Sequence, residues 1–81
     1  MSAPVTVYTQ PHCMPCTATK KQLDRRGITY TEIDLTTNPG ALEHVRSLGH
    51  QAAPVVIAGD QHWSQYRPDH INALTTTNQE N

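Results

Sequence analysis

Apolar and polar residues change rhythm several times along this chain, and each change marks an element. Val5-Thr6-Val7-Tyr8-Thr9 is β-branched and aromatic, which predicts a strand in the middle of a sheet covered on both faces. Pro11 stops it. From near Cys13 the spacing becomes helical, with Cys16, Thr19 or the Lys20 stem, and Leu23 on one thin apolar face. Pro15 is tolerated in the first turn. Gly27 suits a left-handed cap, and Arg25 and Arg26 complement the carboxyl end of the helix dipole. Ile28 to Leu35 then alternates apolar with polar residues. That predicts a second, more exposed strand near an edge. Two strands joined by a helix should be parallel, with a right-handed crossover.

Thr36 to Gly40 carries turn chemistry. A helix from about Pro39 to Leu48 puts Leu42, Val45 and Leu48 on one face and Glu43, His44 and Arg46 outward. Gly49 ends it. Ala53 to Ala58 is a third strand entered through Pro54. Gly59-Asp60 is a hairpin signal, leading to a short strand over Gln61-His62-Trp63. Ser64 to Arg67 reads as a loop. Pro68 and Asp69 open a last helix with Ile71 and Leu74 inward, and the polar stretch from Thr75 to Asn81 is expected to fray. The order β-α-β-α-β-β-α predicts one α/β domain over residues 1–81. Its four-stranded mixed sheet is flanked by three helices.

Composition narrows the partners. The formal net charge is −1, from six Lys and Arg against seven Asp and Glu. That balance gives no reason to expect nucleic acid or an anionic membrane. No apolar run approaches the ~20 residues of a membrane span. Met1-Ser2-Ala3-Pro4 lacks the basic and apolar regions of a signal peptide, so a cytoplasmic location is expected. In that compartment an isolated cysteine pair is catalytic or metal-binding more often than a permanent staple.

The pair is Cys13-Met14-Pro15-Cys16, set where a strand gives way to a helix. Cys13 sits just before the helix, where unpaired N–H groups and the dipole favour a thiolate. It is the expected nucleophile. Cys16, one turn on and more sheltered, is the expected resolving thiol. His12 reads as a polar rim residue able to donate a hydrogen bond or charge beside Cys13. A structural zinc site is the rival reading, built from His12, Cys13 and Cys16 with one of His44, His50, His62 or His70. Otherwise these histidines read as surface residues. Pro54 is open to a cis or a trans bond. A cis bond beside the cysteines would present the backbone of Ala53 and Val55 to an extended substrate segment. Trp63, Tyr66 and Arg67 are residue types common at binding hot spots. Core packing for Trp63, and a hold on loop carbonyls for Arg67, are the plain alternatives.

Together these segments resemble the glutaredoxin-like branch of the thioredoxin superfamily, most closely the NrdH-type redoxins. The resemblance rests on Val5 to Thr9, Cys13-x-x-Cys16, Ala53-Pro54-Val55-Val56 and Trp63-Ser64-x-Tyr66-Arg67-Pro68. It implies a thioredoxin/glutaredoxin-like fold and a cis Pro54. It also implies a monomeric carrier that takes electrons from thioredoxin reductase and reduces class Ib ribonucleotide reductase. No bound cofactor or metal is expected beyond the Cys13–Cys16 disulfide. By the same resemblance, Gln10, His12, Met14, Pro15, Ala53, Pro54, Val55, Trp63, Ser64, Tyr66 and Arg67 border the substrate or partner surface. The chain departs from the family at several points. Gln10 stands where a lysine is common, and Met14-Pro15 where valine-glutamine is more frequent. Gln65 replaces the usual glycine and Tyr66 the usual phenylalanine. Glutathione-binding relatives carry a Gly-Gly and acidic pair after the fourth strand. That pattern is missing here, which leaves a glutathione-dependent glutaredoxin as the alternative reading.

Overall fold

The computed structural model describes residues 4–79, with side chains as far as Leu74. Three residues of the N-terminal stretch read for a leader therefore lie outside the described part. The elements are β1 (Val5–Thr9), α1 (Met14–Arg25), β2 (Thr31–Asp34), α2 (Pro39–Ser47), β3 (Val55–Ala58), β4 (Gln61–Ser64) and α3 (Pro68–Gln79). The four strands form one sheet in the order β2-β1-β3-β4. β1 pairs parallel to β2 and antiparallel to β3, and β3 pairs antiparallel to β4. The mixed sheet, the central β1 and the edge position of β2 agree with the sequence pattern.

The pleat divides the core. Val5, Val7, Val56, Ala58 and Trp63 meet Leu23 of α1 and Ile71 of α3 on one face. Tyr8 and Val55 meet Val45 of α2 on the other, with Leu42 and Ile57 packed beside them. Alternate residues of one strand serve opposite layers because successive side chains point to opposite faces. Helices therefore cover both faces, and the apolar character of β1 and β3 follows.

Several boundaries differ from the sequence reading. β2 covers only Thr31–Asp34, not Ile28 to Leu35. Ile28 belongs instead to the end of α1. Its N–H donates to the Leu23 carbonyl at 3.0 Å, and the Gly27 N–H donates to the Asp24 carbonyl at 3.0 Å. With Gly27 at φ +70 this is a Schellman cap, closed by Ile28 packing with Leu23. α2 ends the same way: His50 and Gly49 donate to the carbonyls of Val45 and Arg46 at 3.1 and 3.0 Å. At its start, Asn38 Oδ1 accepts from the Ala41 N–H at 3.1 Å, so the turn ends in an N-cap. β3 begins at Val55, two residues later than expected, and β4 extends one residue further, to Ser64. α3 continues to Gln79, so the backbone over 75–79, expected to fray, is helical, and the last two residues of that stretch lie outside the described part. No glycine or proline intervenes there to stop it.

Candidate active site

β1 ends at the site. Its last residue, Thr9, is buried, and Gln10 and Pro11 carry the chain out into an exposed loop. His12 turns it back with a left-handed backbone, φ +59. Cys13 then takes an extended conformation, φ −114 and ψ 102, and acts as the N-cap of α1. The Cys16 N–H donates to Cys13 Sγ at 3.1 Å. The sulfur thus takes the place of the usual oxygen cap on one of the free N–H groups that open a helix. The same donor would favour a thiolate on Cys13 once the pair is reduced.

The two cysteines have different surroundings. Cys13 is half-buried and reaches solvent, while Cys16 is 2 % exposed and packs with Tyr8, Leu35, Val45, Ala53 and Val55. Their sulfurs are joined, with the Cα atoms 5.2 Å apart. Met14, between them, is 84 % exposed and places an apolar side chain beside the accessible sulfur. Pro15 occupies the first turn and costs no helix hydrogen bond. Its carbonyl accepts from the buried Thr19 hydroxyl at 2.8 Å, which ties the first turn to the second.

The Ala53–Pro54 peptide bond is cis. Ala53, Pro54 and Val55 are all buried, Val55 completely, so in this structure they present little surface to a partner. The Pro54 carbonyl accepts from the Gln65 N–H at 2.9 Å, which fastens the 65–67 loop to the proline. Gln65 makes this bond with φ +72, a left-handed conformation at a position where the resembling family has glycine.

The residues of that loop divide. Trp63 is 5 % exposed and lies in the core, with its ring stacked on His70 at a centroid distance of 4.8 Å. It supports the loop from beneath and offers no contact surface. Its indole N–H has no hydrogen-bond partner among the described residues. Ser64 closes β4 opposite Val55, and Tyr66 is exposed. Arg67 does not hold loop carbonyls. Its guanidinium pairs with the Asp69 carboxylate at 3.1 and 3.3 Å, at the start of α3.

A cleft of about 680 Å³ opens over the disulfide, lined by Cys13, Cys16, Gln10, His12 and Met14 on one side. Its other side is formed by Thr9, Lys20, Glu32 and Asp34, which the sequence reading did not assign. Lys20 Nζ meets Glu32 Oε2 at 2.9 Å, and the Thr9 hydroxyl donates to the same oxygen at 3.0 Å. The Lys20 hydrogen bond, then that of Thr9, holds the Glu32 carboxyl below its ordinary range despite some desolvation. Asp34 is likewise held low, by the Thr36 hydroxyl and then the Thr36 N–H. The cleft therefore does contain a cation despite Gln10, although Glu32 neutralises it. Parallel pairing of β1 with β2 brings this group together, with Thr9 opposite Asp34 and Glu32 two residues away on the same strand. A smaller cleft of about 280 Å³ runs from Gln10 to Ala53 along α2, so Gln10 borders both.

His12 is exposed, and among the described residues its ring makes no hydrogen bond to either sulfur. No three His, Cys, Asp or Glu side chains converge on a metal position among the described residues, so the four-ligand set of the zinc reading is not assembled. Of the remaining histidines, His44 and His62 are exposed, as expected of surface residues, while His50 and His70 are half-buried. His50 and His62 face each other, and His70 stacks on Trp63. No helix among the described residues is long and apolar enough to cross a membrane.

Comparison with known proteins agrees with this geometry. The glutaredoxin family model matches residues 5–63. The glutaredoxin-like protein NrdH of Escherichia coli strain K12 is 44 % identical over 70 residues, covering 86 % of each chain. The protein of the same description from Lactococcus lactis subsp. cremoris is 37 % identical over 86 % of this chain and 97 % of its own. Among solved structures, the NrdH-redoxin of E. coli superposes with a TM-score of 0.85 at 44 % identity, covering 88 % of this chain and 93 % of that one. That structure is described as the basis for a thioredoxin-like activity profile.

Proposed function

Since this chain belongs to the glutaredoxin family and is a thiol–disulfide oxidoreductase, we propose that it carries electrons from thioredoxin reductase to the disulfide of class Ib ribonucleotide reductase. The observation that carries this reading is the asymmetry of the pair. One sulfur faces a cleft and caps a helix, and the other is buried one turn behind it. The reduced Cys13 thiolate attacks one sulfur of a target disulfide and forms a mixed disulfide. One target thiolate leaves and takes a proton. Cys16 then loses its proton and attacks Cys13 Sγ, expelling the second target thiolate. Two electrons have moved to the target and the Cys13–Cys16 bond has formed. The electrons are held on the two sulfurs, so the step needs no bound cofactor.

A thioredoxin-like activity profile in a relative 44 % identical supports a protein reductase as electron source. The chain also lacks the Gly-Gly and acidic pattern of glutathione binders after β4, where Gln65-Tyr66-Arg67-Pro68 stand. The test compares NADPH consumption in two coupled assays with a common disulfide target. Turnover with thioredoxin reductase, and little with glutathione and its reductase, is expected. The reverse ranking would overturn the assignment of the electron source.

A further inference from the structure

Met14 is 84 % exposed, and among the described residues Tyr66, at 38 %, is the one other large apolar side chain left in solvent. The helix explains this. Met14 is the first residue of α1 and lies about 200° around it from Cys16, two residues on. Its side chain therefore points away from the core that Cys16, Thr19 and Leu23 enter. It borders the cleft over the disulfide, whose lining is otherwise polar or charged apart from Pro11 and the two cysteines. A thioether in this place is an adaptable apolar contact, and it is also an oxidisable sulfur.

We propose that Met14 is a reversible oxidation site: peroxide converts its thioether to a sulfoxide, and the new polar group weakens the docking of disulfide targets beside Cys13. In this step an Sδ lone pair attacks one peroxide oxygen and the O–O bond breaks. The sulfur gains an oxygen and is oxidised by two electrons, while the other peroxide oxygen leaves as water. The disulfide form is the vulnerable one. Both cysteine sulfurs are already paired in it, so Met14 Sδ is the exposed sulfur left at the site. In the reduced form the Cys13 thiolate is the stronger nucleophile and takes the peroxide first. Cys13 becomes a sulfenic acid, Cys16 attacks its sulfur, and the hydroxyl leaves with the Cys16 proton as water. Met14 is therefore oxidised when re-reduction of the pair falls behind the oxidant. Methionine sulfoxide reductases reverse the change. The sulfoxide leaves exchange at the sulfurs intact, because neither the Cys16 N–H on Cys13 Sγ nor the packing of Cys16 uses the Met14 side chain. What is lost is the gain a target makes by covering an apolar surface. The effect rests on thiol–disulfide exchange at Cys13, whichever proteins supply and receive the electrons.

The test treats the disulfide form with hydrogen peroxide and locates the added oxygen by peptide mass spectrometry. One oxygen on Met14 is expected, with Trp63, 5 % exposed, unmodified. The protein is then reduced with dithiothreitol, which leaves the sulfoxide in place, desalted, and mixed with each of two disulfides in single-turnover measurements. With a peptide disulfide flanked by leucines, the second-order rate constant should fall at least about fivefold. With hydroxyethyl disulfide, which has no apolar residue to dock, it should change less than about twofold. The two epimer-specific methionine sulfoxide reductases should restore the peptide rate. Met14→Leu has no thioether at this position, so peroxide should leave its peptide rate as it was before treatment. Met14 left unmodified, an unchanged peptide rate in the sulfoxide form, or an equal loss with both disulfides would overturn the proposal. So would an equal peroxide-induced loss in Met14→Leu.

Discussion

Gln65 is the residue at which this chain departs most plainly from backbone economy. It sits at φ +72 while its N–H holds the Pro54 carbonyl at 2.9 Å. A left-handed conformation costs an L-residue about 1–2 kcal/mol, because Cβ crowds the following carbonyl. Glycine escapes that cost but brings about 0.5–1 kcal/mol of extra conformational entropy in the unfolded chain. The difference favours Gln65→Gly by about 0.5–1 kcal/mol. The hydrogen bond to Pro54 uses only the backbone, so it survives the change. For a domain of this size that difference raises the melting temperature by about 2–8 °C. The assay is thermal unfolding of the oxidised protein by circular dichroism, with Gln65→Ala as control. Alanine keeps Cβ and should give no such gain. Equal melting temperatures for the two variants would refute the backbone argument.

Other outcomes follow from the same contacts. Leu23→Ala removes a fully buried side chain between α1 and the sheet and should cost about 2–5 kcal/mol, read as a fall in the urea midpoint. Gly27→Ala meets no atom within 4 Å but keeps φ +70, so it should cost about 1 kcal/mol by the same measurement. The Glu32 carboxyl is held below 4.5, so its contribution is complete above that pH and is lost as the pH falls through the lower folded value. Glu32→Gln should flatten the acid limb of a stability–pH curve by lowering stability at neutral pH and leaving it little changed in acid. The His50 ring is held below 6.5, so the unfolded chain takes up its proton first and stability should fall as the pH drops below 6.5. His50→Phe should remove that part of the pH dependence.

The fold was largely legible because local signals and chain order agree. Gly27 and Gly49 mark caps, Pro15 and Pro39 open helices, and the apolar runs of β1 and β3 fit central strands. The misreadings share a cause. Ile28 fits a strand alternation, yet its apolar side chain closes a helix cap, and the two uses look alike in sequence. The 75–79 stretch is polar but holds no stop signal, so the helix runs on. At the site, the cysteine pair and Pro54 could be placed from their neighbours along the chain. The Lys20–Glu32–Thr9 group and the His50–His62 pair could not, because each depends on a contact between residues twelve or more apart. Trp63 was ambiguous by type. Burial between the sheet and α3 makes it a core residue whose loop, not whose ring, reaches the site.

The central claim is the division of labour within the pair, and trapping tests it most directly. Reduced Cys16→Ser protein, mixed with a disulfide peptide and examined by mass spectrometry, should accumulate one peptide joined to Cys13. Cys13→Ser should neither trap the peptide at a comparable rate nor reduce insulin disulfides. Rapid trapping at Cys16, or insulin turnover by Cys13→Ser, would contradict the account.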